Sequence, residues 1–264
     1  MRARLISSVI LSALLFSSLA LGDCEPNWLL SGSGMNAYVG ALTVYNEKLI
    51  AGGFFTNAGG VEANSIARYD GNSWQSLDSE MNYDVLALTV YNGDLIAGGI
   101  FTVAGGIEAN KIARWDGNSW YPLGSGMSGS LGPDIAALTI YNGELIAGGY
   151  FKKAGGIDVN HIARWDGISW KALGSGMNGN VFALTVYDGN LIAGGNFRIA
   201  GGATANRIAR WDGNSWQSLD SGINGNINTL TVYNGELIAG GYFSTAGGVT
   251  TGSIARWDGN LWQS

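Results

Sequence analysis

An all-β fold built from five tandem four-stranded units follows from three features of the sequence. The alternating block Ala41-Leu42-Thr43-Val44-Tyr45 returns as Ala87 to Tyr91, Ala137 to Tyr141, Ala183 to Tyr187 and Thr229 to Tyr233, at steps of 46, 50, 46 and 46 residues. A Gly-Gly pair follows each block, then a second pair inside Ala-Gly-Gly, then Ile-Ala-Arg-Trp-Asp-Gly, with Tyr69 replacing the Trp once. No window shows the i, i+3, i+4, i+7 spacing of an amphipathic helix.

The second copy illustrates the elements in order. Ala87 to Tyr91 alternates and closes on Asn92-Gly93, a two-residue hairpin turn in which both positions tolerate positive φ. Leu95 to Gly99 is the second strand, and its glycines allow a neighbouring backbone to approach closely. Lys111 to Trp115 is the third, ended by the turn cluster Asp116-Gly117-Asn118, and Trp120 to Leu123 is the fourth. Four strands in about 46 residues, repeated radially, describe the blade of a β-propeller. Trp28 and Trp262 hold the same repeat position, so the chain carries five units and one extra fourth-strand segment at its start. A closed five-bladed ring is the simplest arrangement, because closure removes exposed strand edges; an open arc or a fragment of a larger propeller is the alternative.

Residues 1–22 are set apart from the repeats. Two Arg precede an apolar, Ser-rich stretch without acidic residues, and Ala20-Leu21-Gly22 places small residues before Asp23. That order is the pattern of a secretory signal peptide, so residues 23–264 are expected to form the mature propeller, with repeats starting near 41, 87, 137, 183 and 229. Loss of the leader moves the net charge from −6 to −8. An acidic exported protein has no basic footprint for nucleic acid and, once cleaved, no stable membrane span. The expected location is extracellular or at the cell surface, with the periplasm as the alternative compartment. Cys24 is expected to be a free thiol beside the new N-terminus, an intermolecular disulfide being the other reading.

Composition narrows the chemistry. The 264 residues include 43 Gly, 3 Pro, 1 Cys and 1 His, with 46% hydrophobic and 13% charged residues. The apolar share supports a buried core, while one His and one Cys cannot build a His-rich zinc site. No cofactor and no metal are expected.

The Gly-Gly doublet ending strand two, the aromatic in strand three and the Trp in strand four resemble the kelch motif, and the galactose oxidase central-domain blade is similar. The fuller string Ala-Gly-Gly-x-x-Ala-Asn-x-Ile-Ala-Arg-Trp-Asp-Gly-Asn-Ser-Trp also resembles repeats of secreted bacterial propeller proteins and of fungal cortical polarity markers. The resemblance covers residues 28 to 264 and implies a propeller and a binding role. Aromatic and Trp lie slightly closer together than in kelch repeats, and the copper ligands of galactose oxidase have no counterpart.

Several columns of the repeat carry functional side chains. Arg68, Arg114, Arg164, Arg210 and Arg256 each precede an Asp by two residues; since i and i+2 share a strand face, an ion pair within each blade is expected. Glu62, Glu108 and Asp158 share one loop column, and Lys111, His161 and Arg207 another, with Ser65 and Ser253 at its ends. Solvated loop charges are the default for both, and His161 is expected to be an exposed loop residue or a hydrogen-bonding contact. The Trp columns are expected to pack between blades. Variation concentrates at Phe54, Ile100, Tyr150, Asn196 and Tyr242 and just beyond.

Strand alternation places the connections Phe101 to Asn110 and Gly124 to Ile135 on one face and the tight Asn-Gly and Asp-Gly turns on the other. The four-residue length change within Ser128 to Ile135 falls on the long-loop face. The expected ligand-binding residues are Lys152, Lys153, Asp158, His161, Arg198 and Arg207, off-centre on blades three and four. No catalytic residue is assigned. The expected function is that of a secreted, non-catalytic binding propeller for an extracellular protein or glycan. A carbohydrate-active enzyme at the propeller mouth, or a structural segment of a larger cell-surface protein, is the alternative.

Overall fold

A computed structural model describes residues 33–77, 81–130 and 134–264. The expected signal peptide, Cys24 and Trp28 lie outside the described residues, as do residues 131–133 of the expected insertion. The described chain is all-β, with five four-stranded antiparallel sheets: blade 1 over residues 38–76, blade 2 over 85–122, blade 3 over 134–172, blade 4 over 181–218 and blade 5 over 226–263. In blade 3 the strands are Asp134–Tyr141, Glu144–Tyr150, Ile162–Trp165 and Trp170–Ala172. The first strands of successive blades run beside one another, which puts them innermost and the Trp-bearing fourth strands outermost.

The core lies between the blades. Between blades 2 and 3, Tyr91, Ile96 and Ile112 of one sheet meet Ile135, Leu145 and Phe151 of the next. Clusters of the same composition join blades 1 and 2, 3 and 4, and 4 and 5. The Gly-Gly doublet makes this packing possible. A Cβ on Gly98 would lie 2.6 Å from Ile135 Cγ2, and one on Gly99 would strike the carbonyl oxygen of Asp84, the residue just before the inner strand. The first residue therefore admits the next blade, and the second lets the inner strand bulge between Val85 and Ala87.

The outer tryptophans Trp74, Trp120, Trp170, Trp216 and Trp262 are all buried. In blades 2 to 5 each packs against the strand-three Trp at 5.3–5.4 Å with the ring planes tilted by 50–54°, within the centroid range of favourable aromatic pairs. Trp170 and Trp216 donate Nε1–H at 3.0 Å to Leu123 and Leu173 of the preceding blade's connection. The strand-three column is less covered, since Trp165 and Trp211 are half-buried.

Two features add to the expected blade. The long connection after strand two is itself folded into a two-residue hairpin, Val103–Ala104 with Ile107–Glu108 in blade 2. The segment entering each blade docks on that hairpin, as Met81 does opposite Ala104. The residue after each such Met or Ile caps it: Asn82 Oδ1 accepts the backbone N–H of Thr102 and Val103 at 2.9 and 3.0 Å. Asn36, Asn178 and Asn224 repeat the arrangement. In blade 3 Ser128 stands instead, and its backbone carbonyl takes the Lys152 N–H at 3.0 Å.

Among the described residues the five blades do not close on themselves: they form an open arc, the alternative to the five-bladed ring. Tyr233 and Ile254 of blade 5 are 62% and 59% exposed, whereas Tyr91 and Ile112 in blade 2 are 8% and 0% exposed. Among the described residues no apolar cluster joins blade 5 to blade 1.

Candidate binding face

The inner strand starts, and the second strand ends, on the long-loop face. Their paired ends therefore form a rim around the axis: Tyr38 opposite Phe54, Asp134 opposite Tyr150, and Asn226 opposite Tyr242. Tyr38, Phe54, Tyr83 and Tyr242 are exposed there. Asp134 Oδ1 accepts the Tyr150 N–H at 2.8 Å, while burial raises its carboxyl above the usual carboxylate range.

Just outside the rim runs the column Ser65, Lys111, His161, Arg207 and Ser253, all left-handed at φ between 64° and 71°. Each donates its N–H at 2.8–3.0 Å to a Phe carbonyl, from Phe55 in blade 1 to Phe243 in blade 5. Each also accepts, through its own carbonyl, the N–H of the second glycine of the doublet. Non-glycine residues rarely adopt this conformation, and here hydrogen bonds on both sides of the peptide hold it. Only the side chain differs between blades. Lys111 Nζ donates to Ile100 O at 2.8 Å, and burial lowers the ammonium pKa against the pull of Asp134. His161 is buried, not an exposed loop residue; its Nδ1 lies 3.3 Å from Gly149 O and its ring stacks on Tyr150 at 6.0 Å. Burial, then the neighbouring Lys152, lowers the imidazole pKa. Arg207 is half-buried with its Nε unpartnered among the described residues; burial, then Arg198, lowers its pKa.

The other expected site residues divide into two kinds. Lys153 and Asp158 face each other across the blade 3 hairpin and form an ion pair at 2.9 Å. Lys152 and Arg198 are exposed and have no carboxylate partner among the described residues. Lys152 borders an open cleft of about 300 Å³ between blades 3 and 4, together with Asn160, Ser175, Met177, Asn178 and Ile199. Glu62, Glu108 and Asp158 sit on separate hairpins. Among the described residues no group of three or more His, Cys, Asp or Glu is placed to hold a metal ion. Sequence reasoning left out Tyr38, Tyr83 and Asp134. The signal was the pairing of inner-strand starts with the variable strand-two ends.

On the opposite face the repeated Arg and Asp do not pair as expected. Arg114, Arg164 and Arg256 reach Asp94, Glu144 and Glu236 at 2.7, 2.8 and 3.1 Å. Arg68 and Arg210 bond to Gln75 and Gln217. The cause is register: Arg114 lies opposite Ile96, so the same-face residue two positions away, Asp94, is its diagonal neighbour. The aspartates turn back on their own loops. Asp70 Oδ1 accepts the N–H of Asn72 and Ser73 at 2.9 Å, and these bonds lower its carboxyl pKa. Asp116, Asp212 and Asp258 do the same; in Asp166 the side-chain bond from Lys171 adds the largest lowering.

Residues 124–264, more than half the chain, match the family model described as the Rax2 C-terminal β-propeller domain. The chain belongs to the Rax2 C-terminal β-propeller family. The matched Rax2 segment takes in blades 3 to 5 and so contains the cleft and the unpaired cations. Residues 46–73 match a β-propeller domain of unknown function, DUF5122. Among solved structures, the WD40 β-propeller domain of Doa1 is similar to this Rax2-family chain at 15% identity and a TM-score of 0.50, over 78% of this chain and 63% of that one. The chain thus spans less than two thirds of that neighbour, and the likeness is one of fold. Comparison with curated proteins returns no match.

Proposed function

We propose that this propeller is a non-catalytic binding module whose long-loop face takes an extracellular protein or glycan carrying an anionic group. The observation that carries the reading is a set of cations on blades 3 and 4 without acid partners among the described residues: Lys152, which lines the cleft, Arg198, next in sequence to the cleft residue Ile199, and Arg207, on a chain whose net charge is −6. Lys153 and Asp158 stiffen the hairpin that presents Lys152, and His161 anchors the strand end beneath it. Exposed aromatics on the rim supply stacking surface for a sugar ring or an apolar side chain. Export through the leader at residues 1–22 puts that face in contact with extracellular ligands. The Gly-Gly doublet and strand-four Trp support a kelch-like assignment of the repeat.

A glycan array spanning acidic and neutral sugars, run beside a panel of chromogenic glycosides, tests the reading. Binding to acidic probes without turnover is expected. Charge-assisted hydrogen bonds contribute about 1.5–3 kcal/mol each, so the triple variant Lys152→Ser, Lys153→Ser, Arg198→Ser should weaken binding at least about tenfold with Tm nearly unchanged. Unchanged affinity in that variant, with loss on altering the Asp-Gly turns instead, places the site on the other face and rejects the reading.

A further inference from the structure

Blade 4 departs from the other blades in the charge of its long-loop face. Two columns of that face carry carboxylates elsewhere: the rim, with Asp84 and Asp134 in blades 2 and 3, and the hairpin, with Glu62, Glu108 and Asp158 in blades 1 to 3. In blade 4 these positions are Asn180 and Thr204. Two further columns become cationic, Arg198 just beyond strand two and Arg207 at the left-handed position. Blade 3 has Lys152 and His161 there but keeps both carboxylates, and blade 5 has neither cation nor carboxylate in the four columns. Blade 4 alone gains two arginines and loses both acids.

The backbone brings these arginines together. Arg207 N–H bonds to Phe197 O and Ala205 N–H to Arg198 O, both at 2.9 Å. Burial, then the like charge of Arg198, lowers the Arg207 pKa. In blades 2 and 3 the side chain at this position is satisfied by its own blade, Lys111 Nζ by Ile100 O and His161 Nδ1 by Gly149 O. Arg207 Nε is buried and meets no acceptor among the described residues, and a buried donor left unpaired costs stability. Beside it, Asn196 Oδ1 accepts the Asn180 N–H at 2.7 Å, while its Nδ2 has no acceptor among the described residues. Asn196 holds the rim position that Tyr150 takes in blade 3 and Tyr242 in blade 5. The donors therefore lie between two rim tyrosines, of which Tyr242 is 79% exposed.

We propose that the rim of blade 4 is an oxyanion subsite for an acidic sugar, with Arg198, Arg207 and Asn196 donating to its carboxylate or sulfate ester and Tyr242 stacking on its ring. The proposal rests on the binding role assigned above and names the ligand class. Guanidinium forks match the paired oxygens of either group, and charge-assisted bonds of this kind are the strong ones. An exposed ring beside amide and guanidinium donors suits a sugar, which offers an apolar ring face and polar substituents together.

Calorimetry on the purified chain tests this with a galacturonate tetramer, a sulfated galactose tetramer and the neutral galactose tetramer. At least one acidic tetramer should bind at least about tenfold more tightly than the neutral one, and the tighter of the two identifies the oxyanion. Ser65 and Ser253 hold the left-handed position of Arg207, so Arg207→Ser should keep the backbone while weakening that tetramer at least about tenfold. Tyr242→Ala should weaken it at least about threefold. Failure of both acidic tetramers to bind overturns the proposal. A loss confined to Lys152→Ser, with Arg207→Ser unchanged, overturns the blade 4 subsite and leaves the long-loop face standing. Equally tight binding of a hexaglutamate peptide, unaffected by Tyr242→Ala, overturns the sugar as ligand.

Discussion

His161 is the chain's single histidine, and its burial gives it a distinct signature in the pH dependence of stability. The native pKa is lowered by burial, while the unfolded chain titrates near the ordinary value of about 6.5. The unfolded state therefore binds more protons as pH falls below about 6.5, and native stability, complete above that value, declines through the native pKa. Ser65 and Ser253 hold the same left-handed position, so His161→Ser should keep the backbone while removing the titration. Thermal melts between pH 7 and 5 should fall more steeply towards acid in the wild type than in the variant, by about 2–4 °C in Tm per kcal/mol, since the buried Asp134 carboxyl titrates alike in both. Equal slopes would refute the assignment. A second decline, common to both proteins, should begin below about pH 4: the turn aspartates have native pKa values lowered by backbone N–H donors, and their contribution is lost as they protonate.

At the scale of an element, the hairpin over each blade is held by what precedes it. Asn82 supplies one oxygen to two backbone N–H groups, whereas Ser128 at the matching place in blade 3 uses its backbone carbonyl and strand pairing. Hydrogen bonds contribute about 0.5–1.5 kcal/mol each, so Asn82→Ala should cost about 1–3 kcal/mol in denaturant unfolding. Ser128→Ala should cost less than about 0.5 kcal/mol, because no side-chain bond is lost. A large effect at Ser128 would mean its hydroxyl, not its carbonyl, secures the hairpin.

For the whole molecule, cores that lie between blades make stability a nearest-neighbour property. Blade 3 is covered on both faces, and blade 5 on one. Burying an Ile side chain contributes about 1.5–3 kcal/mol, most of which Ile254 forgoes at its exposed position. Amide exchange measured at low concentration should therefore be faster in Ile254–Trp257 than in Ile162–Trp165, though the two strands share the same Ile-Ala-Arg-Trp sequence. Protection that is uniform along the chain would show that all blades open together.

Much of this protein is legible from its residues. Period-2 blocks, Asn-Gly and Asp-Gly turns and a spacing near 46 residues define four strands per unit and five units, because strand alternation and turn chemistry are local properties. The long-loop face is legible for the same reason: strand direction follows from counting turns. The cations of blades 3 and 4 are visible as breaks in the repeat, but not their division into a paired Lys153 and an unpaired Lys152. That division depends on a two-residue hairpin too short to leave a periodic signal. The partners of the repeated arginines were equally hidden, since i and i+2 share a face in one strand while cross-strand register decides which carboxylate lies diagonally opposite. Ring closure lay furthest from the sequence. Every blade carries nearly the same residues, so local chemistry is alike from first to last. Only the packing angle accumulated over the four interfaces between the blades determines whether Tyr233 meets the turn at Gly71, and Tyr233 remains exposed.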